Sequence, residues 1–259
     1  MDFLSQFQLK GRRALVCGAS QGIGEATARI LAQLGAEVVL LSRRAESLQK
    51  LKSELPGQGH QILAVDLSST AELEKALQPL LPLHIVVNNA GGPKAGPLLK
   101  ATDVEILEAM KTHLLASQKI AQLTVPGMQK AGYGRFINII STSVKAPIPN
   151  LGVSNTVRGA MANWAKSLAH ELGPLGITVN NVLPGYTKTP RFETLRKAAS
   201  EKSKVPESQI EDQWKSSIPL SRFAEPFEVA SAVAFLASPA AGYISGINLP
   251  VDGGRTPNL

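Results

Sequence analysis

A doubly wound α/β fold, with a parallel sheet covered by helices on both faces, is what this 259-residue sequence predicts. Three observations carry the prediction. Short apolar runs alternate with longer segments of helical periodicity along the chain. The apolar runs are largely continuous, as parallel strands buried on both faces require. A glycine cluster, Gly18-Ala19-Ser20-Gln21-Gly22-Ile23-Gly24, falls between the first apolar run and the first helical segment.

The elements follow in order. Residues 14–17 form the first strand, and the glycine turn opens a helix over 22–34. Glycines there let the backbone turn sharply and let a phosphate approach the main chain. The helix start then offers unpaired N–H groups and partial positive charge to a pyrophosphate. Strands over 37–41, 61–65 and 85–88 alternate with helices over 45–55 and 70–77, the latter stopped near Pro79. The second half predicts helices over 104–130 and 155–172, strands over 135–140 and 178–183, a helix over 227–236 and a closing strand over 247–251. No linker or internal repeat interrupts the pattern, so residues 1–259 are expected to form a single Rossmann-type domain. One segment departs from the rhythm. Residues 188–219 are polar and charged and follow directly on a core strand, where a substrate lid is expected; a solvated surface loop is the alternative.

Composition narrows the functional classes. With 44% hydrophobic and 18% charged residues, a packed globular core is expected. No apolar run is long enough to span a bilayer, and the N-terminus lacks the regions of a secretory signal. The single cysteine, Cys17, excludes an internal disulfide and reads as a buried structural thiol. These features point to the cytoplasm. The four histidines are scattered and form no metal-ligand pattern with the cysteine, so no metal is expected. A net charge of +7 fits phosphorylated or acidic ligands, and no aromatic-rich basic patch points to nucleic acid.

The glycine spacing, Gly-x-x-x-Gly-x-Gly, is wider than the common dinucleotide fingerprint. The second strand ends in Ser42-Arg43-Arg44, where a carboxylate would hold the ribose 2′-hydroxyl of NAD. Two guanidiniums there attract a 2′-phosphate, and NADP(H) is the expected cofactor. A basic helix entry is the bland alternative.

These marks, with Asp66-Leu67, Asn88-Asn89-Ala90-Gly91, Pro184-Gly185, Arg222-Phe223-x-x-Pro226-x-Glu228-Val229-Ala230 and Val251-Asp252-Gly253-Gly254, resemble the short-chain dehydrogenase/reductase superfamily. The resemblance is strongest to its 3-oxoacyl-(acyl-carrier-protein) reductase-like members and covers nearly the whole chain. It implies that Gly18, Ser20, Gln21, Gly22, Ile23 and Gly24 cradle the cofactor phosphates, that Asp66 and Leu67 meet the adenine, and that Asn89, Ala90 and Gly91 sit beside the ribose. It places Pro184, Gly185 and Thr187 at the nicotinamide. It also implies a homotetramer or homodimer, with the helices over 104–130 and 155–172 forming one contact and residues 247–254 joining a second.

The family's chemistry is a hydride transfer in which a tyrosine handles the proton, a lysine one turn later lowers its pKa and binds the ribose, a serine holds the substrate oxygen, and an asparagine supports a water chain. Anchoring on residues 134–141 and 166–174 puts the serine at Ser141, the tyrosine position at Ser154 and the lysine position at Arg158; the asparagine position is His113. No Tyr-x-x-x-Lys occurs in the chain. A serine hydroxyl is a far weaker acid than a phenol, and Arg158 stays protonated and cannot relay a proton, although it can still hydrogen-bond the cofactor ribose; Ser141, Ser154 and Arg158 therefore suit binding an oxygen better than protonating one. His113, titrating near neutral pH, and Tyr186, after Pro184-Gly185, are the two candidate proton sources. The alternatives are a packing histidine and a pocket wall. Lys94 is a further substrate-pocket candidate, with a surface lysine as the plainer reading. The basic start of 188–219 (Lys188, Arg191, Arg196, Lys197, Lys202, Lys204) suggests an acidic acyl carrier, either a carrier protein or coenzyme A, with a solvated helix face as the alternative.

The function expected is an NADP(H)-dependent oxidoreductase acting on a carbonyl or alcohol small-molecule substrate, such as a 3-oxoacyl thioester, with altered proton-transfer residues. The alternatives are a catalytically inactive NADP-binding sensor or regulatory protein, and an enzyme that reduces an activated double bond and takes its proton from solvent.

Overall fold

A computed structural model describes residues 2–258. Seven strands, β1 (Arg13–Cys17), β2 (Glu37–Ser42), β3 (Gln61–Ala64), β4 (Ile85–Asn88), β5 (Gly134–Ile139), β6 (Ile177–Pro184) and β7 (Asn248–Val251), form one sheet in the order β3-β2-β1-β4-β5-β6-β7. Every pairing in it is parallel. The nine α-helices are α1 (Gly22–Gln33), α2 (Ala45–Glu54), α3 (Thr70–Leu77), α4 (Asp103–Met110), α5 (Ala116–Ala131), α6 (Gly152–Leu172), α7 (Pro190–Ser203), α8 (Glu207–Ser216) and α9 (Pro226–Ala237) among the described residues.

The strands read as continuous apolar runs because each feeds two cores. Ala14 and Val16 of β1, and Val38 and Leu40 of β2, face a layer that holds Leu31 of α1, Leu48 of α2 and Val233 of α9. Leu15, Cys17, Val39 and Leu41 face the opposite layer, with Leu73 of α3, Ile120 of α5 and Ala165 of α6. The period-2 alternation of strand side chains sends successive residues to opposite faces, so both must be apolar. Cys17 is fully packed in that second layer, and burial pushes its thiol pKa up to about 12. It is an inert packing group, as the sequence suggests.

The chain winds from β1 to β3 in one direction and from β4 to β7 in the other, so strand order reverses between β1 and β4. Loops diverge at such a reversal and open a crevice at the C-terminal strand ends. The turn after β1, Ser42 at the end of β2, the segment after β4 and Ser141 after β5 all lie at this edge.

Two regions differ from the sequence reading. The long helix expected over 104–130 is interrupted: α4 runs into a π-helical turn at Lys111–Leu115 before α5 begins. The wider turn carries His113, which is 5% exposed, and such turns re-aim one side chain into the fold. The segment 188–219 is mostly regular. Thr189 caps α7 by accepting from Phe192 N at 3.3 Å, with Pro190 at the first helical position, and α8 follows after Lys204, at φ 58°. Phe192, Ile218 and Phe223, with Tyr186 and Trp214, form a small core of their own beneath these helices.

Candidate active site

The glycine turn is built so that no side chain fits where its glycines stand. A Cβ on Gly24 would lie 2.2 Å from the carbonyl oxygen of Gly18, and one on Gly18 would lie 2.7 Å from Asn89 Nδ2 and O. Gly18 and Gly22 also have φ of 62° and 61°, which L side chains avoid. Asn89 Nδ2 donates to Cys17 O at 3.2 Å and ties the β4 loop to this turn. The result is a bare main-chain surface at the start of α1, suited to a phosphate.

That surface is one end of a cleft of about 960 Å³ along the C-terminal edge of the sheet. Gly18, Ser20, Gln21, Gly22 and Ile23 line it, as do Ser42, Arg43, Arg44, Asp66 and Leu67. So do Asn89, Ala90 and Gly91, then Ser141, Ser154 and Arg158, and finally Pro184, Gly185, Tyr186 and Thr187. Gly24 lies below the lining, where it lets α1 pack against the turn.

At the β2 end, Arg44 Nη2 donates to Ser20 Oγ at 3.1 Å, and Arg44 N donates to Ser42 Oγ at 3.1 Å. Arg43 Nη1 lies 3.5 Å from Asp66 Oδ2 and is largely exposed. Hydrogen bonds from Ser68, with Arg43 nearby, hold the Asp66 carboxyl below the usual carboxylate range. The Ser20, Ser42, Arg43 and Arg44 group therefore forms a polar, cationic corner with its arginine heads reaching solvent.

At the other end, Arg158 is 7% exposed. It donates from Nη1 to Ile139 O at 2.9 Å and from Nη2 to Ala90 O at 3.4 Å. Burial, then the charge of Arg191, lowers its pKa to about 10, so it remains a cation at neutral pH. Ser141 Oγ accepts from Ser143 N at 3.1 Å, which fixes the serine at the end of β5. Ser154 stands one helical turn before Arg158 on α6, and both line the cleft. Two hydroxyls and a fixed guanidinium thus line the same end of the cleft.

The proton-source candidates are corrected by their surroundings. His113 borders a small internal cavity of about 10 Å³ beside Arg158, and a surface pocket that shares Gly91, Glu108 and Thr112 with the cleft. Burial first, and the Arg158 charge second, push its pKa down to about 3, against a weaker opposing hydrogen bond at the Gly91 backbone. It stays neutral across the physiological range and does not titrate near pH 7. Tyr186 stacks on Trp214 with ring centroids 4.7 Å apart, while Arg255 lies 4.6 Å above the ring. Burial raises its phenol pKa, which makes it a poorer acid and fits the pocket-wall reading.

The His113 environment has a consequence for stability. The unfolded chain takes up the His113 proton below about pH 6.5, while the folded protein refuses it until about pH 3. The contribution is therefore complete above pH 6.5 and is lost at about 1.4 kcal/mol per pH unit as pH falls toward 3. His113→Asn is expected to flatten the acid limb of stability by that slope between pH 6.5 and 4.5. Urea unfolding of both proteins at several pH values measures it, and parallel acid limbs would refute it.

Lys94 is exposed and lines an adjoining pocket of about 460 Å³ with Gly96, Lys100 and Glu105. The basic residues of 188–219 are mostly engaged within the protein. Arg196 pairs with Glu193, Glu207 and Glu211, Lys188 pairs with Glu225, and Lys202 donates to Asn150 Oδ1. Arg191 is turned inward: it lines the cleft, and its Nη2 donates to Pro93 O at 2.8 Å. A docking face for an acidic carrier is correspondingly depleted. The cleft position of Arg191, and the contact of Arg255 with Tyr186, are missed by sequence reasoning. The only available signal for Arg191 is its place in a helix start, Thr189-Pro190-Arg191, directly after the Pro184-Gly185 strand end. Among the described residues no three His, Cys, Asp or Glu side chains gather as a metal site, and no helix is long and apolar enough to cross a membrane.

A parallel seven-stranded sheet with a glycine-turn cleft at its switch point defines a dinucleotide-binding α/β architecture. The chain belongs to the short-chain dehydrogenase/reductase superfamily: the family model described as Enoyl-(Acyl carrier protein) reductase matches residues 18–256. It is 36% identical over 254 residues to 3-oxoacyl-[acyl-carrier-protein] reductase FabG of Pseudomonas aeruginosa, covering 95% of this chain and 98% of that protein. Among solved structures, YwfH, described as an NADPH dependent reductase involved in bacilysin biosynthesis, superposes with a TM-score of 0.90 at 28% identity, covering 96% and 99% of the two chains. L-sorbose reductase from Gluconobacter frateurii, solved with NADPH and L-sorbose, gives 0.89 at 28% identity, covering 98% and 100%. The chain is accordingly an oxidoreductase by family.

Proposed function

We propose that this protein is an NADP(H)-dependent oxidoreductase that reduces a carbonyl substrate or oxidises the matching alcohol. The observation that carries the proposal is the shared cleft, which joins a bare glycine turn, a two-arginine corner and an oxygen-binding group of Ser141, Ser154 and Arg158. The glycine turn fits a pyrophosphate, and Arg43 and Arg44 fit a 2′-phosphate, in keeping with the NADPH-bound L-sorbose reductase that this fold resembles. NADPH, when bound, supplies the hydride. Asp66 and Leu67 would flank the adenine, Asn89, Ala90, Gly91 and Arg158 the ribose, and Pro184, Gly185 and Thr187 the nicotinamide. Ser141 and Ser154 donate hydrogen bonds to the substrate oxygen, and Arg158 stabilises negative charge developing on it. Residues 188–219 act as the lid over this end, and the whole chain is one such unit. The exposed apolar side chains Val104, Leu107 and Leu115 along α4 and the π turn support a homodimer or homotetramer built on that face.

One observation favours a second reading, the reduction of a double bond conjugated to the carbonyl. The site binds an oxygen with a fixed cation but holds no acid tuned near neutral pH: His113 stays neutral and the Tyr186 phenol is weakened. Conjugate reduction needs the oxygen stabilised and can take its proton from water. The matching family model is also described as an enoyl reductase. Single-turnover oxidation of bound NADPH, with product analysis on saturated and α,β-unsaturated ketones and thioesters, separates the readings. Tight NADPH binding without turnover on any of them would leave the non-catalytic, NADP-sensing alternative.

The cofactor assignment has its own test. Replacing both Arg43 and Arg44 by Ala removes the charge-assisted contacts to a 2′-phosphate, an expected loss of about 2 kcal/mol, or about 30-fold in NADPH affinity. NADH affinity should hardly move, as fluorescence titration of both cofactors can show.

A further inference from the structure

The reacting end of the cleft holds more positive charge than the proposed cofactor contacts use. Of the acidic side chains on the cleft wall, Asp66 faces Arg43 and Glu108 pairs with Lys111. Arg158 and Arg191, on the same wall, have no carboxylate within ion-pair distance among the described residues. Their hydrogen bonds go to carbonyls: Ile139 and Ala90 for Arg158, Pro93 for Arg191. A guanidinium has five N–H donors, so these contacts use two of the set on Arg158 and one on Arg191.

Both cations are drawn out of water. Burial lowers both their pKa values, and the charge of Arg191 acts on Arg158. Neighbouring like charges in a partly dry site are unfavourable without an anion to share. The seats proposed for the cofactor phosphates are the glycine turn and the Arg43–Arg44 corner. Arg191 stands instead against the loop after β4, where a Cβ on Gly92 would lie 3.5 Å from its Nη2. Its partner Pro93 continues from Ala90 and Gly91, which share the cleft with Ser141 and Ser154.

We infer that Arg191 holds the carboxylate of an anionic substrate whose reacting oxygen lies at Ser141, Ser154 and Arg158. A guanidinium meets a carboxylate through two parallel hydrogen bonds, which orients as well as attracts. Because Arg191 is carried by α7 and touches the Pro93 carbonyl, the bound acid would lie between α7 and the loop after β4. The inference rests on the oxidoreductase reading for where the acid lies, but not for whether it binds.

Calorimetric titration of the NADP(H)-loaded protein tests it, with acetoacetate and cinnamate set against their neutral amides. The acids should bind at least tenfold more tightly than the amides. Arg191→Met should abolish that preference, Arg191→Lys should keep part of it, and both variants should retain wild-type NADPH affinity. Arg191→Gln serves if the Met variant melts early. The inference is overturned if the wild-type protein shows no preference for the acids, or if the preference survives in Arg191→Met. It is also overturned if Arg191→Met weakens NADPH and leaves the preference in place, which would make Arg191 a cofactor-phosphate residue. Acid preference without reduction of any acid would sustain the inference and count against the oxidoreductase reading. Turnover of amides and acids alike, without preference, would do the reverse.

Discussion

Replacing Arg158 by Met is expected to lower turnover by about 100-fold or more, the usual effect of removing one fixed donor from an oxyanion site. The side chain is 7% exposed and forms the only buried cation among the oxygen-binding residues proposed here. Its stability cost should be modest. Met recovers apolar packing and removes a desolvated charge, while the carbonyls of Ile139 and Ala90 lose one donor each. A fall in single-turnover NADPH oxidation with a melting temperature within a few degrees of wild type is the expected pair of results. Arg158→Lys should recover part of the rate, because it restores charge without the planar fork. Unchanged turnover in Arg158→Met would remove the arginine from the chemistry and make it a packing residue.

The largest effect on cofactor binding is expected from Gly24→Ala. The new methyl would meet Gly18 O at 2.2 Å, Gly18 C at 2.7 Å and Asn89 Nδ2 at 2.8 Å, and two of these are main-chain atoms that cannot swing aside. Either α1 moves off the turn or the turn itself is displaced. NADPH affinity should fall about 100-fold and stability by about 1–3 kcal/mol, the range for overpacking a well-filled site. Titration of NADPH fluorescence together with urea unfolding separates the two losses. By contrast, Gly132, at φ 59°, has open space where its Cβ would stand, so Gly132→Ala should cost stability through backbone strain and leave NADPH affinity unchanged.

The scaffold is legible in the sequence because its signals are local. Ala14 to Cys17 read as a strand since neighbouring residues must serve two cores, and Gly18, Gly22 and Gly24 read as a phosphate turn since only glycine meets the demands there. The cleft residues from Ser20 to Thr187 follow from motif positions at strand ends, which a parallel sheet brings to one edge. His113 shows where this reasoning stops. Its imidazole suggests a neutral-pH acid, and nothing in the neighbouring residues announces the π turn that buries it against Arg158. The basic run in 188–219 shows the same limit: Arg191 and Arg196 are five residues apart and alike in sequence, yet one lines the cleft and the other is enclosed by three carboxylates.

By itself, then, the sequence determined the strand and helix order, the glycine cradle, the arginine corner and the absence of any Tyr-x-x-x-Lys, because each depends on residue type and short-range spacing. Only the tertiary structure decided which charges remain unpaired and which titratable groups can titrate. Those properties depend on desolvation and on partners tens of residues away, as when Arg158 meets Ala90 and His113 loses its proton to burial beside them.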